Sequence, residues 1–139
     1  MNAEIWGPHY WFTFHTIAMT YPEHPNDMVK KKYYNFFSNV PLFLPNHGIG
    51  NHFIKLLDTF PIEPYLNNRE SLMKWVHFIH NQINQKLNKP EISFSKSLEL
   101  YQNHYKKKET IVKENILKKK HYYQIGSFVV LFFLILYYK

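Results

Sequence analysis

An all-α fold is predicted for this chain: a four-helix bundle with a short fifth helix, followed by a transmembrane helix at the C-terminus. Three observations predict it. Apolar residues before residue 105 recur at the 3.6-residue helical period, and no stretch alternates apolar and polar positions over the length of a strand. The end of the chain, Tyr122 to Tyr138, is a run of 17 residues without a charge. The organisation that follows is a helical domain over 1–105, a basic linker or helix over 106–121, and a membrane anchor over 122–138.

The first helix is expected from Pro8 to about Thr20, because the fixed φ of proline suits the first helical position and its missing N–H costs nothing there. Tyr21-Pro22 ends it. After a turn-rich linker, Asp27 to Ser38 is read as a second helix burying Val29, Tyr33, Phe36 and Phe37, with Lys30, Lys31 and Lys32 on a solvated face. Pro41 to Phe53 is irregular. Leu42 to Leu44 and Pro45 lead into Asn46-His47-Gly48-Ile49-Gly50-Asn51, and an apolar helical pattern restarts at His52-Phe53. Two glycines in three residues predict a loose start, at roughly 1 kcal/mol each. Phe60-Pro61 and Glu63-Pro64 break the chain.

The main helix opens near Ser71, capped by Asn67, Asn68 or Ser71 itself, and is closed by Pro90. Its apolar stripe is Trp75, Phe78, Ile79, Ile83 and Leu87. A stripe is what packing requires. The flank of His80, Asn81, Asn84 and Lys86 is not, and it reads either as a polar rim or as a set of ring nitrogens, amides and an ammonium suited to a planar heteroaromatic ligand with phosphates. His77 and His80, three apart, could touch. Ser95 can cap a further helix that runs through Leu98, Tyr101 and Tyr105 to Lys120.

Composition bounds the chemistry. With 139 residues and 45% hydrophobic, 19% aromatic content, one domain with a full core is expected. The cysteine count is zero, which excludes disulfides, thiolate metal sites and a cysteine nucleophile within this chain. His47 and His52 do not have the spacing of metal ligands on one helix face, so no metal is expected. The net charge of +7 favours anionic partners. Lys106 to Lys108 and Lys118 to Lys120, however, sit beside the apolar tail, which reads as a membrane flank rather than as a nucleic-acid surface. A 17-residue helix spans about 25 Å, short for a bilayer core of roughly 30 Å, with tyrosines and lysines bridging the difference. No signal peptide is read at the N-terminus, so a C-terminal single-pass anchor with the domain on the cytoplasmic side is expected.

Two segments together resemble one family. Trp6, Gly7, Trp11 and His15 match a W-G-x-x-x-W-x-x-x-H pattern. His80, Asn81, Ile83, Asn84, Lys86, Leu87, Lys89 and Pro90 match H-N-x-V/I-N-x-K-L-x-K-P. Both are similar to the FAD-dependent sulfhydryl oxidases of the Erv and ALR type, and the likeness covers about residues 5 to 105. Pro45 and His52-Phe53 bracket the place where that family carries P-C-x-x-C-x-x-H/D-F, but Asn46 and Ile49 stand at the two cysteine positions.

The resemblance implies a helical bundle that binds FAD through Gly7, Trp11, His15, His52, His80, Asn81, Ile83, Asn84 and Lys86, with Tyr101 or Tyr105 near a Trp position of relatives. It also implies dithiol-to-disulfide chemistry on a thiol-containing protein with oxygen as acceptor, possible homodimers, and, among small viral members, a place in a host membrane or virion. Without a thiolate there is no group to attack the flavin. The expectation is therefore a flavin-binding, redox-inactive member or a cysteine-stripped form, with a membrane-anchored scaffold that has lost flavin as the alternative.

Overall fold

The structure, a computed structural model, describes residues 1–106 and 108–137. Among these residues it is helical throughout, with no strand. The helices are α1 (Ala3–Met19), α2 (Asp27–Asn39), α3 (His47–Thr59), α4 (Arg69–Lys86), α5 (Phe94–Asn103) and α6 (Lys108–Tyr137), with 3₁₀ turns at Val40–Phe43 and Glu63–Tyr65. The chain divides into two units, Met1–Tyr101 and Gln102–Lys139.

Asparagine caps every one of the first four helices. Asn2 accepts from the Glu4 N–H, Asn26 from Val29, Asn46 from Ile49 and Asn68 from Ser71, at 2.9 to 3.1 Å. Each satisfies one of the donors a helix start leaves without an intrahelical partner. The Asn2 cap starts α1 earlier than expected, so Pro8 lies inside the helix rather than at its first position. The Asn46 cap likewise starts α3 at His47, not at His52. α4 is closed ahead of Pro90. Asn88 takes the left-handed conformation (φ 55°), while the N–H groups of Asn88 and Lys89 donate to the carbonyls of Gln85 and Asn84 at 3.0 and 2.8 Å.

The core of the first unit forms where α1, α2, α3 and α4 converge. Phe14, Ala18, Phe37, Phe53, Leu72, Trp75, Val76, Ile79 and Ile83 are all buried there. Tyr21 is also fully buried, its hydroxyl donating to the Leu66 carbonyl at 2.9 Å. Trp75 is 2% exposed, and its indole N–H donates to the Phe60 carbonyl at 3.0 Å, which ties the α3–α4 connection to the core. Two stripe residues face outward instead. Phe36 and Phe78 remain exposed, while Phe37 and Trp75, packed edge to face at 5.5 Å, are buried in the core.

Gly50 corrects the expectation of a loose start to α3. It is buried, and a Cβ built on it would lie 2.8 Å from the Pro41 carbonyl oxygen. The glycine admits close contact between α3 and the Val40–Phe43 turn, a packing role that composition does not reveal.

The helix expected from Ser95 to Lys120 is two helices. Ser93 caps α5 rather than Ser95, its hydroxyl accepting from the Lys96 N–H at 3.2 Å. A turn at His104–Lys106 then ends it. In the second unit, Lys106 pairs with Glu114 of α6 at 2.7 Å.

The transmembrane expectation for 122–138 is corrected. Among the described residues no helix is long and apolar enough to cross a membrane. The physical reason lies in the first part of the run, where Tyr122, Tyr123, Gln124, Gly126 and Ser127 dilute the apolar content, so that continuous apolar sequence begins only at Phe128. Tyr138 lies outside the described residues.

Candidate functional site

The side chains that converge are Trp11 and His15 from α1 and His80 from α4. Trp11 and His15 are one helical turn apart, which puts both on the edge of α1 that runs beside α4. The Trp11 indole stacks on the His80 ring with centroids 4.0 Å apart and planes 9° from parallel. His15 Nε2 lies 3.2 Å from His80 Nδ1. One of these nitrogens must donate and the other accept, so the accepting ring is neutral and the two rings cannot both be charged in this arrangement.

Their environment favours the neutral form of each ring. Burial lowers the pKa of His15 to about 4, with the nearby His77 adding to the effect. Burial lowers His80 to about 3, reinforced by His15, His77 and Lys89. His77 is lowered as well, by burial, with the Glu91 carboxylate opposing. Uncharged, flat, aromatic and half-buried, this surface offers ring faces and neutral ring nitrogens rather than cations.

One turn before Trp11, Gly7 is buried, yet a Cβ added there would meet nothing within 4 Å. The absent side chain therefore leaves a gap against the α1 backbone. Beside it, Trp6 Nε1 is buried and makes no hydrogen bond, although its ring packs edge to face on Tyr10 at 5.3 Å. A buried donor with no partner costs about 1–3 kcal/mol. Further along α1, Thr16 shares a 2.9 Å hydrogen bond with the Tyr101 hydroxyl, and Phe12 stacks on the Tyr101 ring at 5.3 Å. Of the two candidate tyrosines, Tyr101 thus packs on α1 and Tyr105 is exposed.

The remaining residues singled out in the sequence are not part of the Trp11, His15 and His80 contacts. Asn81 is buried, and its amide pairs with both backbone groups of Ile92, donating to the carbonyl at 3.0 Å and accepting from the N–H at 3.3 Å. It also lies 3.3 Å from His77 Nε2. His77 and His80 therefore each pair elsewhere rather than with one another, and His77 Nδ1 is left buried without a partner. Ile83 belongs to the core, Asn84 is half-buried and supplies its carbonyl to the α4 terminus, and Lys86 is exposed. His52 is half-buried on α3.

Asn46 and Ile49 are built into the start of α3. The Asn46 side chain is the cap, and Ile49 is 7% exposed within the core. Changing Asn46 to alanine should cost about 1 kcal/mol in chemical denaturation, whereas Asn46→Ser should retain most of that stability. Equal losses in both variants would remove the cap from the account.

Sequence reasoning missed Trp6 Nε1, the Asn81 bridge to Ile92, and the hydrogen bond from the Tyr10 hydroxyl to the Phe43 carbonyl at 2.9 Å. No local signal marks them, because each depends on a partner far away in sequence or, for Trp6, on having none. An apolar groove of about 500 Å³ beside Phe14, Phe36 and Phe43 contains none of the predicted site residues. Among the described residues no group of His, Cys, Asp and Glu side chains could hold a metal ion.

The fold and site together define a small helical bundle with an aromatic and imidazole surface between its first and fourth helices. Comparison with known proteins narrows that description. The chain belongs to the Erv1 / Alr family, whose model matches residues 8–108. It is 31% identical over 100 residues to a probable FAD-linked sulfhydryl oxidase of Acanthamoeba polyphaga mimivirus, covering 71% of this chain and 70% of that protein. It is 32% identical over 103 residues to an FAD-linked sulfhydryl oxidase of African swine fever virus, covering 70% and 80%. The crystal structure of the FAD-binding domain of Erv1 from Saccharomyces cerevisiae superimposes with a TM-score of 0.64 at 28% identity, over 68% of this chain and 89% of that one.

Proposed function

We propose that this protein is a flavin-binding member of its family that does not itself oxidise dithiols. The observation that carries the reading is the contrast between its two motif regions. The aromatic and imidazole surface of α1 and α4 is assembled, while the two positions of the redox pair are occupied by a helix cap and a core alkane. Features of α1 and α4 suit FAD. Trp6 Nε1 is a buried donor that lacks an acceptor, Gly7 leaves a gap at the backbone, and Trp11 with His80 presents flat ring surface. On this reading Gly7, Trp11, His15 and His80 bind the ring systems, Asn84 and Lys86 reach the ribose and phosphates, and His52, Asn81 and Ile83 border the pocket within a flavin-binding unit of residues 1–105.

A bound flavin supplies two-electron redox chemistry. What this chain supplies is orientation and exclusion of water, since its own residues contain no thiolate through which a dithiol could deliver electrons. The partners that follow are a thiol-containing protein or an active relative, with a second copy of this chain as a further candidate. The viral relatives support association with a virus.

A second reading, a scaffold that has lost flavin, is favoured by one observation: the Trp11 and His80 rings already stack on each other at 4.0 Å. The absorbance spectrum of the purified full chain separates the two. The first reading expects visible flavin bands, no oxygen consumption with a protein dithiol beyond that of free FAD, and a sharper test at Gly7. Gly7→Ala meets no steric obstacle and improves helix propensity by up to about 1 kcal/mol, so it should leave the protein as stable or more so while lowering flavin content. A folded, colourless wild-type chain would establish the scaffold reading, and thiol oxidase turnover by the cysteine-free chain would overturn the placement of Asn46 and Ile49.

A further inference from the structure

We propose that the C-terminal end of α6 enters one leaflet of an anionic lipid bilayer without crossing it. Each of the ten residues from Phe128 to Tyr137 is apolar or aromatic, and each is at least 47% exposed. The apolar surface covers the whole circumference of the helix rather than a stripe. A groove on a protein, or a second copy of α6, would cover one side and leave the other in water, whereas hydrocarbon covers all sides equally.

What stands next to this segment selects the same occupant. Tyr122 and Tyr123 are exposed six and five residues before the apolar run begins, on the side where aromatic residues take up the headgroup layer. One turn before them are Lys118, Lys119 and Lys120. Lysines so placed meet anionic headgroups, each with an attraction that falls as salt rises.

Length sets the depth. The described apolar residues, Phe128 to Tyr137, rise about 15 Å as a helix, half of a hydrocarbon core of roughly 30 Å. That agrees with the finding that no described helix can cross. The inference is independent of flavin binding.

The experiment uses the full chain and vesicles of phosphatidylcholine with or without phosphatidylserine. Because the chain has no cysteine, a single introduced one labels uniquely. The chain should float with the anionic vesicles, and reversing Lys118, Lys119 and Lys120 to glutamate should weaken that binding by about tenfold or more. A spin label on Phe132→Cys should be reached by oxygen and shielded from a water-soluble relaxation agent, while one on Tyr123→Cys should sense the interface. Should a label fail at Phe132, the same reading at Leu134→Cys decides. Failure to float, a bound chain whose label stays in water, or label–label broadening without lipid, which would make a second copy the occupant, each overturns the proposal. So does modification of Tyr137→Cys by an impermeant reagent trapped inside the vesicles, which would show that the helix crosses.

Discussion

Replacing Gly50 with alanine should destabilise the protein by roughly 2–3 kcal/mol, the cost of forcing an extra methyl into a filled core. The Cβ would lie 2.8 Å from the Pro41 carbonyl oxygen, and that obstacle is backbone rather than a side chain that could swing aside. Relief requires the Val40–Phe43 turn to move, and the turn is itself held by the Tyr10 hydroxyl on the Phe43 carbonyl. The strain therefore spreads to α1 and the ring surface it carries. For a unit of this size the loss corresponds to a fall in Tm of about 10–20 °C, readable in a thermal melt followed by circular dichroism. Gly48→Ala is the matched control. Its Cβ would lie 3.2 Å from Asn46 Oδ1, a side-chain atom, and the gain in helix propensity offsets the small adjustment. Gly48→Ala should be close to neutral. Equal effects from the two variants would mean that Gly50 does not mediate close packing.

Acid should destabilise the protein from about pH 6.5 downward, well above the range in which carboxylates titrate. In the folded chain His15 and His80 have pKa values of about 4 and about 3, against an ordinary value of 6.5. Between these limits the unfolded chain takes up protons that the folded chain refuses, so stability is complete above pH 6.5 and falls as pH drops towards 4. With two rings involved, and with allowance for water relaxing around half-buried groups, the loss reaches on the order of 2–4 kcal/mol by pH 4.5. Urea titrations at pH 7.5 and 4.5 measure it. His80→Gln removes one of the two titrating rings and relieves the other of a like charge. The variant should be less stable at pH 7.5 yet lose less on acidification. A wild-type profile that is flat from pH 7.5 to 4.5 would show that both rings are charged when folded, contrary to their direct 3.2 Å contact.

Both predictions concern contacts between segments distant in sequence, and the same division runs through what could be read beforehand. The helical class and the positions of α2 and α4 followed from apolar periodicity, because burying a stripe is the one demand that every such helix shares. The motif residues Trp6, Gly7, Trp11, His15 and His80 to Pro90 were enough to name the family, since side chains on one helix edge are set by spacing alone. The absence of thiol chemistry followed from composition, for a chain without cysteine has no thiolate in any fold. Tertiary structure decided which of the legible residues meet. His80 could have paired with His77 on its own helix, but packing of α1 against α4 gave it His15 and Trp11. Asn81 read as one amide of a ligand-facing flank, and the bundle brought the Ile92 peptide within reach of both ends of that amide. Gly50 read as a weakness in a helix and became the point where a helix and a turn can touch. The reason is common to all three. A one-dimensional pattern specifies which face of a helix an atom occupies, whereas hydrogen bonding and close packing depend on what lies opposite that face, and only the assembled bundle supplies it.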